Sequence, residues 1–327
     1  MKGIYPDANT VVCIEESKLL KQFQYDILYN AKGLQATLDE LNGINYFNTY
    51  ENAQSDNYEQ MIEALMRKTM ELLKNIAPVE VIWRIFTLLY DIHNIKLVVK
   101  ERFFATKLDH LALDYGSYSL RTIRSAAVRE SDNILENKVL TAGFFDALGQ
   151  KDAYNIEFVL DKTYFRTLVK LTDKLGIPEI SGFLVERIDL YNASVFMQWL
   201  AAGRPEGYFA RAFSDQGSAS LEEWQKYISF DNPEEMRRFP LWQRYLPLWA
   251  TAENNRQLFY EFDVLVDNYL INKTKAGKLM AFGIEPICAY FYNKLMEIKN
   301  IRILLTGKKN NYTTDEIVTR MRIPYEL

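Results

Sequence analysis

Two cysteines, Cys13 and Cys288, and two histidines, His93 and His110, are all that the 327 residues contain of those types. Two thiols make neither a disulfide framework nor a zinc pattern, and both read as buried thiols of a reducing cytosol. The histidines have no second His at i+3 or i+4 with which to share a metal. The 14 glycines are scattered at helix ends and form neither a phosphate-cradling loop nor a dinucleotide fingerprint. No window approaches the roughly eighteen uncharged apolar residues of a membrane span, and the first residues lack the basic-then-apolar signature of a secretory signal. With 39 Lys and Arg against 43 Asp and Glu, the net charge is −4 and no basic block stands out. Direct binding to nucleic acid or anionic lipid is therefore not expected. Carboxylates are spread along helical stretches with Lys and Arg between them, as a solvated surface requires, so the sequence offers very little as a catalytic site.

What is present is an ordinary globular composition, 48% hydrophobic and 25% charged, with length for about two or three domains. Aromatics are the unusual term, at 14% with 21 Tyr. They fill helical cores first and also suit protein–protein interfaces, where a surface must be both apolar and hydrogen bonding.

One stretch returns. Asp91-Ile92-His93-Asn94-Ile95-Lys96-Leu97-Val98-Val99 has counterparts in Asp189-Leu190-Tyr191-Asn192-Ala193-Ser194-Val195-Phe196-Met197 and Glu297-Ile298-Lys299-Asn300-Ile301-Arg302-Ile303-Leu304-Leu305. A proline precedes each: Pro78 lies 16 residues before Asn94, while Pro178 and Pro286 lie 14 before Asn192 and Asn300. Proline suits a first helical turn, where its missing N–H has no intrahelical partner anyway. Each copy reads as a helix of about twenty residues, with Gly203 and Gly307 as stop signals for the last two. Acid and Asn sit three apart and share a face. Asn competes for the backbone in a helix interior, so its threefold presence there asks for a tertiary reason. In an apolar setting the amide must find partners, and each Asn is expected to bond backbone or a polar side chain and so fix packing. His93 is replaced by Tyr191 and Lys299 in the other copies, which argues against an essential base.

In chain order, Glu15 to about Leu41 reads as one long helix with a stripe of Leu19, Leu20, Phe23, Ile27, Leu28 and Leu34. Gly43 ends it. A second helix from about Asn57 carries Met61, Ile62, Leu65, Met66, Met70, Leu72 and Leu73 inward, and the first proline-led helix follows. Asp56-Asn57-Tyr58, Asp161-Lys162-Thr163-Tyr164 and Asp267-Asn268-Tyr269 mark a leading helix before each proline-led one. Tyr115-Gly116-Ser117, Gln216-Gly217-Ser218 and Tyr312-Thr313-Thr314 introduce short capped closing helices, with Ser220 and Glu223 a capping box. The chain thus divides into three helical repeats: 1–136 with an N-terminal helical extension, 137–236, and 237–327. Asp231-Asn232-Pro233 interrupts before the last. The aromatic segment 239–249 reads as a packed joint ahead of a partner-binding hot spot.

These residues carry a resemblance. The threefold proline-led helix with its acid–Asn pentad, most specific in Phe282-Gly283-Ile284-Glu285-Pro286 and Glu297 to Lys308, resembles the C subunit of the V/A-type rotary ATPases, whose eukaryotic counterpart is the d subunit. It covers roughly Tyr58 to Arg322, and the middle copy departs from it at Ala193-Ser194 and Gln198. The resemblance implies an all-α, funnel-shaped protein of three similar bundles around a pseudo-threefold axis. It implies a non-catalytic, cofactor-free rotor subunit, one copy per complex, cytoplasmic and peripheral to the membrane through protein contacts. Its partners would be the central-stalk subunits D and F and the proteolipid rotor ring, between which it passes torque. Two other readings stand beside it. A helical-repeat scaffold would lay the three units in a line, and an enzyme would show one deep polar pocket with perturbed carboxylates.

Overall fold

The computed structural model describes residues 5–47, 57–129, 135, 137–202, 207–227, 238–245, 258–278 and 283–326, and among these no strand occurs. The first helices are α1 (Pro6–Glu16), α2 (Gln22–Asn30), α3 (Gly33–Gly43), α4 (Tyr58–Ile76) and α5 (Glu80–Phe104). After a 3-10 turn at Asp109–Leu111 come α6 (Leu120–Arg129), α7 (Lys138–Gly149), α8 (Ala153–Leu175), α9 (Pro178–Ala202), α10 (Gly207–Ala212) and α11 (Leu221–Tyr227). The described chain ends with α12 (Pro240–Arg244), α13 (Leu258–Lys278), α14 (Glu285–Lys309) and α15 (Thr314–Val318). The fold is all-α. Gly203, Asp56, Asp231 to Pro233, the boundaries at 136 and 236, and the end of the aromatic segment lie outside the described residues.

The chain forms two compact units, one of residues Glu80–Phe259 and one joining Lys2–Val79 to Tyr260–Leu327. In the first, α5 and α7 both pack on α8. Leu88, Ile92 and Ile95 of α5 meet Phe144 of α7, Leu160, Phe165 and Leu168 of α8, and Ile188 of α9 in one core. Each such side chain contributes about 1.5–3 kcal/mol on burial. Of the aromatic segment, Phe239 and Tyr245 are buried. Phe239 meets the Trp224 ring edge-on at 5.0 Å and stacks on Tyr227 at 4.9 Å, so this part is packed interior.

In the second unit α14 packs against α1, α3 and α4 and buries Ile287, Tyr290, Phe291, Ile298, Ile301 and Leu304 around its length. The N-terminal region is three helices where the apolar stripe suggested one. Leu19 and Leu20 are buried outside any helix, while Phe23 and Ile27, on that stripe, are exposed. Tyr25, Leu28, Leu38 and Leu41 are the inward residues of α2 and α3. α1 buries only Val12, and Cys13, one step round the helix, is exposed where a buried thiol was expected. Cys288 is half-covered, and its burial pushes the thiol up to about 12.

The three proline-led helices α5, α9 and α14 each run 25 residues. Pro178 is the first residue of α9 and Pro286 the second of α14. Pro78 instead precedes α5 by two residues. There it holds Ala77 extended at ψ 117° and ends α4, because a proline disfavours helical backbone in the residue before it. Gly307 does not stop α14 either, since a Cβ on it would lie 2.7 Å from Ile317 Cγ1, so its smallness admits α15. The stop is Asn311, left-handed at φ 56°, with Tyr312 N–H bonding Gly307 C=O at 2.9 Å. α3 ends identically: Asn45 is left-handed at φ 56° and Tyr46 N–H bonds Leu41 C=O at 2.9 Å. Both are Schellman closures with Asn in glycine's usual place.

Candidate functional site

The three asparagines are buried, and each grips one residue of the loop that follows its helix through that residue's backbone. Asn94 donates to Leu113 C=O at 2.6 Å and accepts from Leu113 N–H at 3.0 Å. Asn192 does the same to Ser214 at 2.9 and 2.8 Å, and Asn300 to Arg322 at 2.9 and 2.8 Å. An amide is the one side chain that offers a donor and an acceptor side by side, matching a peptide unit that turns both groups inward. The tertiary reason for a mid-helix Asn is therefore a two-bond clamp that spares a buried loop from orphaned backbone groups.

The acids three residues earlier hold the chain just beyond. Asp91 Oδ1 accepts from Ser117 N–H at 2.7 Å and Tyr118 N–H at 3.0 Å. Asp189 accepts from Ser218 N–H at 2.7 Å and Ser218 Oγ at 2.6 Å. In each case a glycine lets the loop approach: a Cβ on Gly116 or Gly217 would lie 2.5 Å from Oδ1 of Asp91 or Asp189 respectively. Ser117 and Ser218 stand three residues before the first residues of α6 and α11. Ser119 and Ser220 then cap those helices through Thr122 N–H and Glu223 N–H. Glu297 departs from this pattern. Its carboxylate accepts Leu20 N–H at 2.5 Å, Tyr46 O–H at 3.1 Å and Lys294 Nζ at 2.6 Å.

The residue directly before each Asn also has a use. His93 Nε2 bonds Leu111 C=O at 2.9 Å and Tyr191 O–H reaches Ala212 C=O at 3.5 Å, in both cases two residues before the clamped one. Lys299 pairs instead with Asp267 at 2.8 Å, which also receives Arg322 Nε at 2.7 Å. Lys96 lies between Glu157 and Asp161 of α8, at 2.5 and 2.7 Å, and ties α5 to α8. These groups pair among themselves. Among the described residues no three His, Cys, Asp or Glu gather as a metal would need.

Burial pushes the Asp91 carboxyl up to about 6, against the pull of Tyr118 and Ser117 on its ionised form. Asp189 is raised by burial as well, against the hydroxyl and N–H of Ser218. A carboxyl whose folded pKa exceeds its unfolded one binds its proton more tightly when folded, so ionising it costs stability. For Asp91 that cost is absent below about pH 4, grows as pH rises, and is complete above about pH 6; a two-unit shift corresponds to about 3 kcal/mol at most. Urea melts at pH 4 and pH 7 should therefore show the unfolding free energy of the wild type falling relative to Asp91→Asn. A constant difference between the two proteins would remove Asp91 as the cause.

Asn94, Asn192, Asn300, Asp91, Asp189 and Glu297 are thus all placed in backbone-gripping positions, while Pro78, Pro178 and Pro286 only start or precede the helices. The sequence did not reveal the gripped partners. Gly116-Ser117 and Gly217-Ser218 were visible as loop signals but not as the recipients of the acids, and Leu20 carried no polar signal at all.

Three such clamps on three long helices define an all-helical protein whose buried asparagines and acids hold its loops in place. Comparison with known proteins places it further. The family model described as ATP synthase (C/AC39) subunit matches residues 8–320, and the chain belongs to that family. It is 24% identical to the C subunit of the V-type sodium ATPase of Enterococcus hirae, over 99% of both chains. It is 23% identical to the C subunit of the A-type ATP synthase of Methanococcoides burtonii, over 98% of this chain and 89% of that one. Its identity to the corresponding A-type ATP synthase C subunit of Methanosphaera stadtmanae is 24%, over 94% of this chain and 84% of the other.

Proposed function

We propose that this chain is the non-catalytic rotor subunit of a V/A-type ATPase, coupling central-stalk subunits D and F to the membrane proteolipid ring. The observation that carries this reading is the family match over nearly the whole chain, joined to relatives named as the C subunits of a V-type sodium ATPase and of A-type ATP synthases. The interior is suited to the role. A coupler that yields under torque loses rotation as strain, and loops riveted to buried helices by paired hydrogen bonds resist that. Its attachment to the ring would run through protein contacts; no helix among the described residues is long and apolar enough to cross a membrane.

The three segments 1–136, 137–236 and 237–327 act as repeats of one module closed about a common axis. Two packing relations set it apart from a scaffold whose units stack in chain order: α5 of the first segment packs on α8 of the second, and α14 of the last packs on α4 of the first. A linear array has no reason to join its last long helix to its first leading helix.

Affinity purification of the tagged chain from native membranes should bring nucleotide-binding and proteolipid subunits in constant ratio. Recovery of the chain alone, under conditions that keep the ATPase intact and active, would refute the assignment. Asn300→Leu should lower the melting temperature of the purified chain more than it weakens binding to purified D and F, since Asn300 is committed to Arg322.

A further inference from the structure

From the way the three buried acids are satisfied, we infer that α2, from the N-terminal end of the chain, is the closing helix of the α14 bundle and straps it shut. In the α5 and α9 bundles the order is fixed. A short helical turn (Asp109–Leu111 or α10) comes first, and the Asn-clamped residue two positions later. The acid-bound N–H follows, and three residues on the closing helix α6 or α11 begins. After α14 the short helix is α15, which precedes the clamped Arg322. α15 therefore takes the place of α10 and the 3-10 turn, not of α6 and α11 as its capped sequence suggested. From Arg322 through Glu326 the chain is not helical.

The missing place is filled by α2. The N–H held by Glu297 belongs to Leu20, two residues before α2 begins, as Ser117 and Ser218 stand just before α6 and α11. The fourth residue of each of these helices is its buried anchor: Ile123 at 0%, Trp224 at 0% and Tyr25 at 2% exposure. Tyr25 lines one small cavity with Glu297 and Asn300, the two pentad residues.

The far end of α2 is held too. Lys308 Nζ donates to Tyr29 C=O and Ala31 C=O, both at 2.7 Å, so a cation sits on the carbonyl end of the helix and a carboxylate on its N–H end. Both charges complement the helix dipole. α2 is thus fastened to α14 at both of its ends, while its body packs on α3 and α15.

The strap predicts local release. Backbone hydrogen exchange on the full-length chain should show amides 20–30 exchanging about tenfold faster in Glu297→Leu and in Lys308→Met, the loss expected for one charge-assisted bond. Amides 117–129 should be unchanged in both, Glu297→Gln should restore most of the protection, and Asp91→Leu should release 117–129 but not 20–30. Unchanged protection of 20–30 in both variants, or a uniform rise along the whole chain, would overturn the inference. None of these readings depends on stalk or ring proteins, so the rotor assignment can fail without this one.

Discussion

Asn192→Leu should lower the stability of the unit that holds it by about 3 kcal/mol. Leu has the same branched four-atom side chain as Asn with bulkier methyl ends, so the site does not open a cavity; what it loses is both bonds to Ser214, and crowding can only add to that loss. Residue 192 and Ser214 are each at 0% exposure, so water cannot replace the lost partner. A buried donor or acceptor left alone costs about 1–3 kcal/mol, and Ser214 would have one of each. The apolar side chain recovers part of that by its own burial. Asn192→Asp separates the two bonds: the acceptor for Ser214 N–H remains, but an ionised carboxylate then faces Ser214 C=O. That variant should be as unstable as Asn192→Leu near neutral pH and recover in acid, where a protonated carboxyl donates to the carbonyl. Urea titration followed by the fluorescence of buried Trp199 and Trp224 measures both. Equal stability of Asn192→Leu and wild type would mean that the clamp contributes nothing.

How much of this was legible in the sequence depends on where each bond partner lies. The clamps were half visible: an Asn in the middle of an apolar helix announces that something must satisfy it, and its threefold spacing announces that the answer is shared. The partner residues were not visible because they contribute backbone, which every residue carries alike. Leu113, Ser214 and Arg322 have no side-chain property in common that the clamp uses. The break in the N-terminal helix was hidden for a related reason. Leu19 and Leu20 fit a helical stripe, but Leu20 N–H bonds Glu297, 277 residues away in sequence, and a tertiary acceptor of that strength overrides local periodicity. Pro78 was misplaced by two residues because a proline marks the end of one helix as readily as the start of the next.

Gly143 supplies the other large effect. It lies in the interior of α7, where Ala is the better helix former by about 1 kcal/mol, so substitution would stabilise if nothing stood beside it. A Cβ at 143 would lie 1.9 Å from Thr163 Oγ1 and 2.4 Å from Thr163 Cγ2 on α8. Thr163 has little freedom to retreat: it is β-branched, buried, and its hydroxyl donates to Val159 C=O at 2.7 Å. Relief must come from moving α7 off α8, which disturbs Phe144 and Leu140 in the shared core. Overpacking of this kind typically costs about 1–3 kcal/mol, and two such close overlaps put Gly143→Ala at the upper end, a net loss of about 2 kcal/mol after the helix-propensity gain. Thr163→Ala removes both crowding atoms and leaves only the Cβ contact at 2.7 Å. The double variant should therefore be more stable than the sum of the single changes predicts, by about 1 kcal/mol or more in a double-mutant cycle. Additive losses would show that the approach of α7 to α8 at this point does not require glycine.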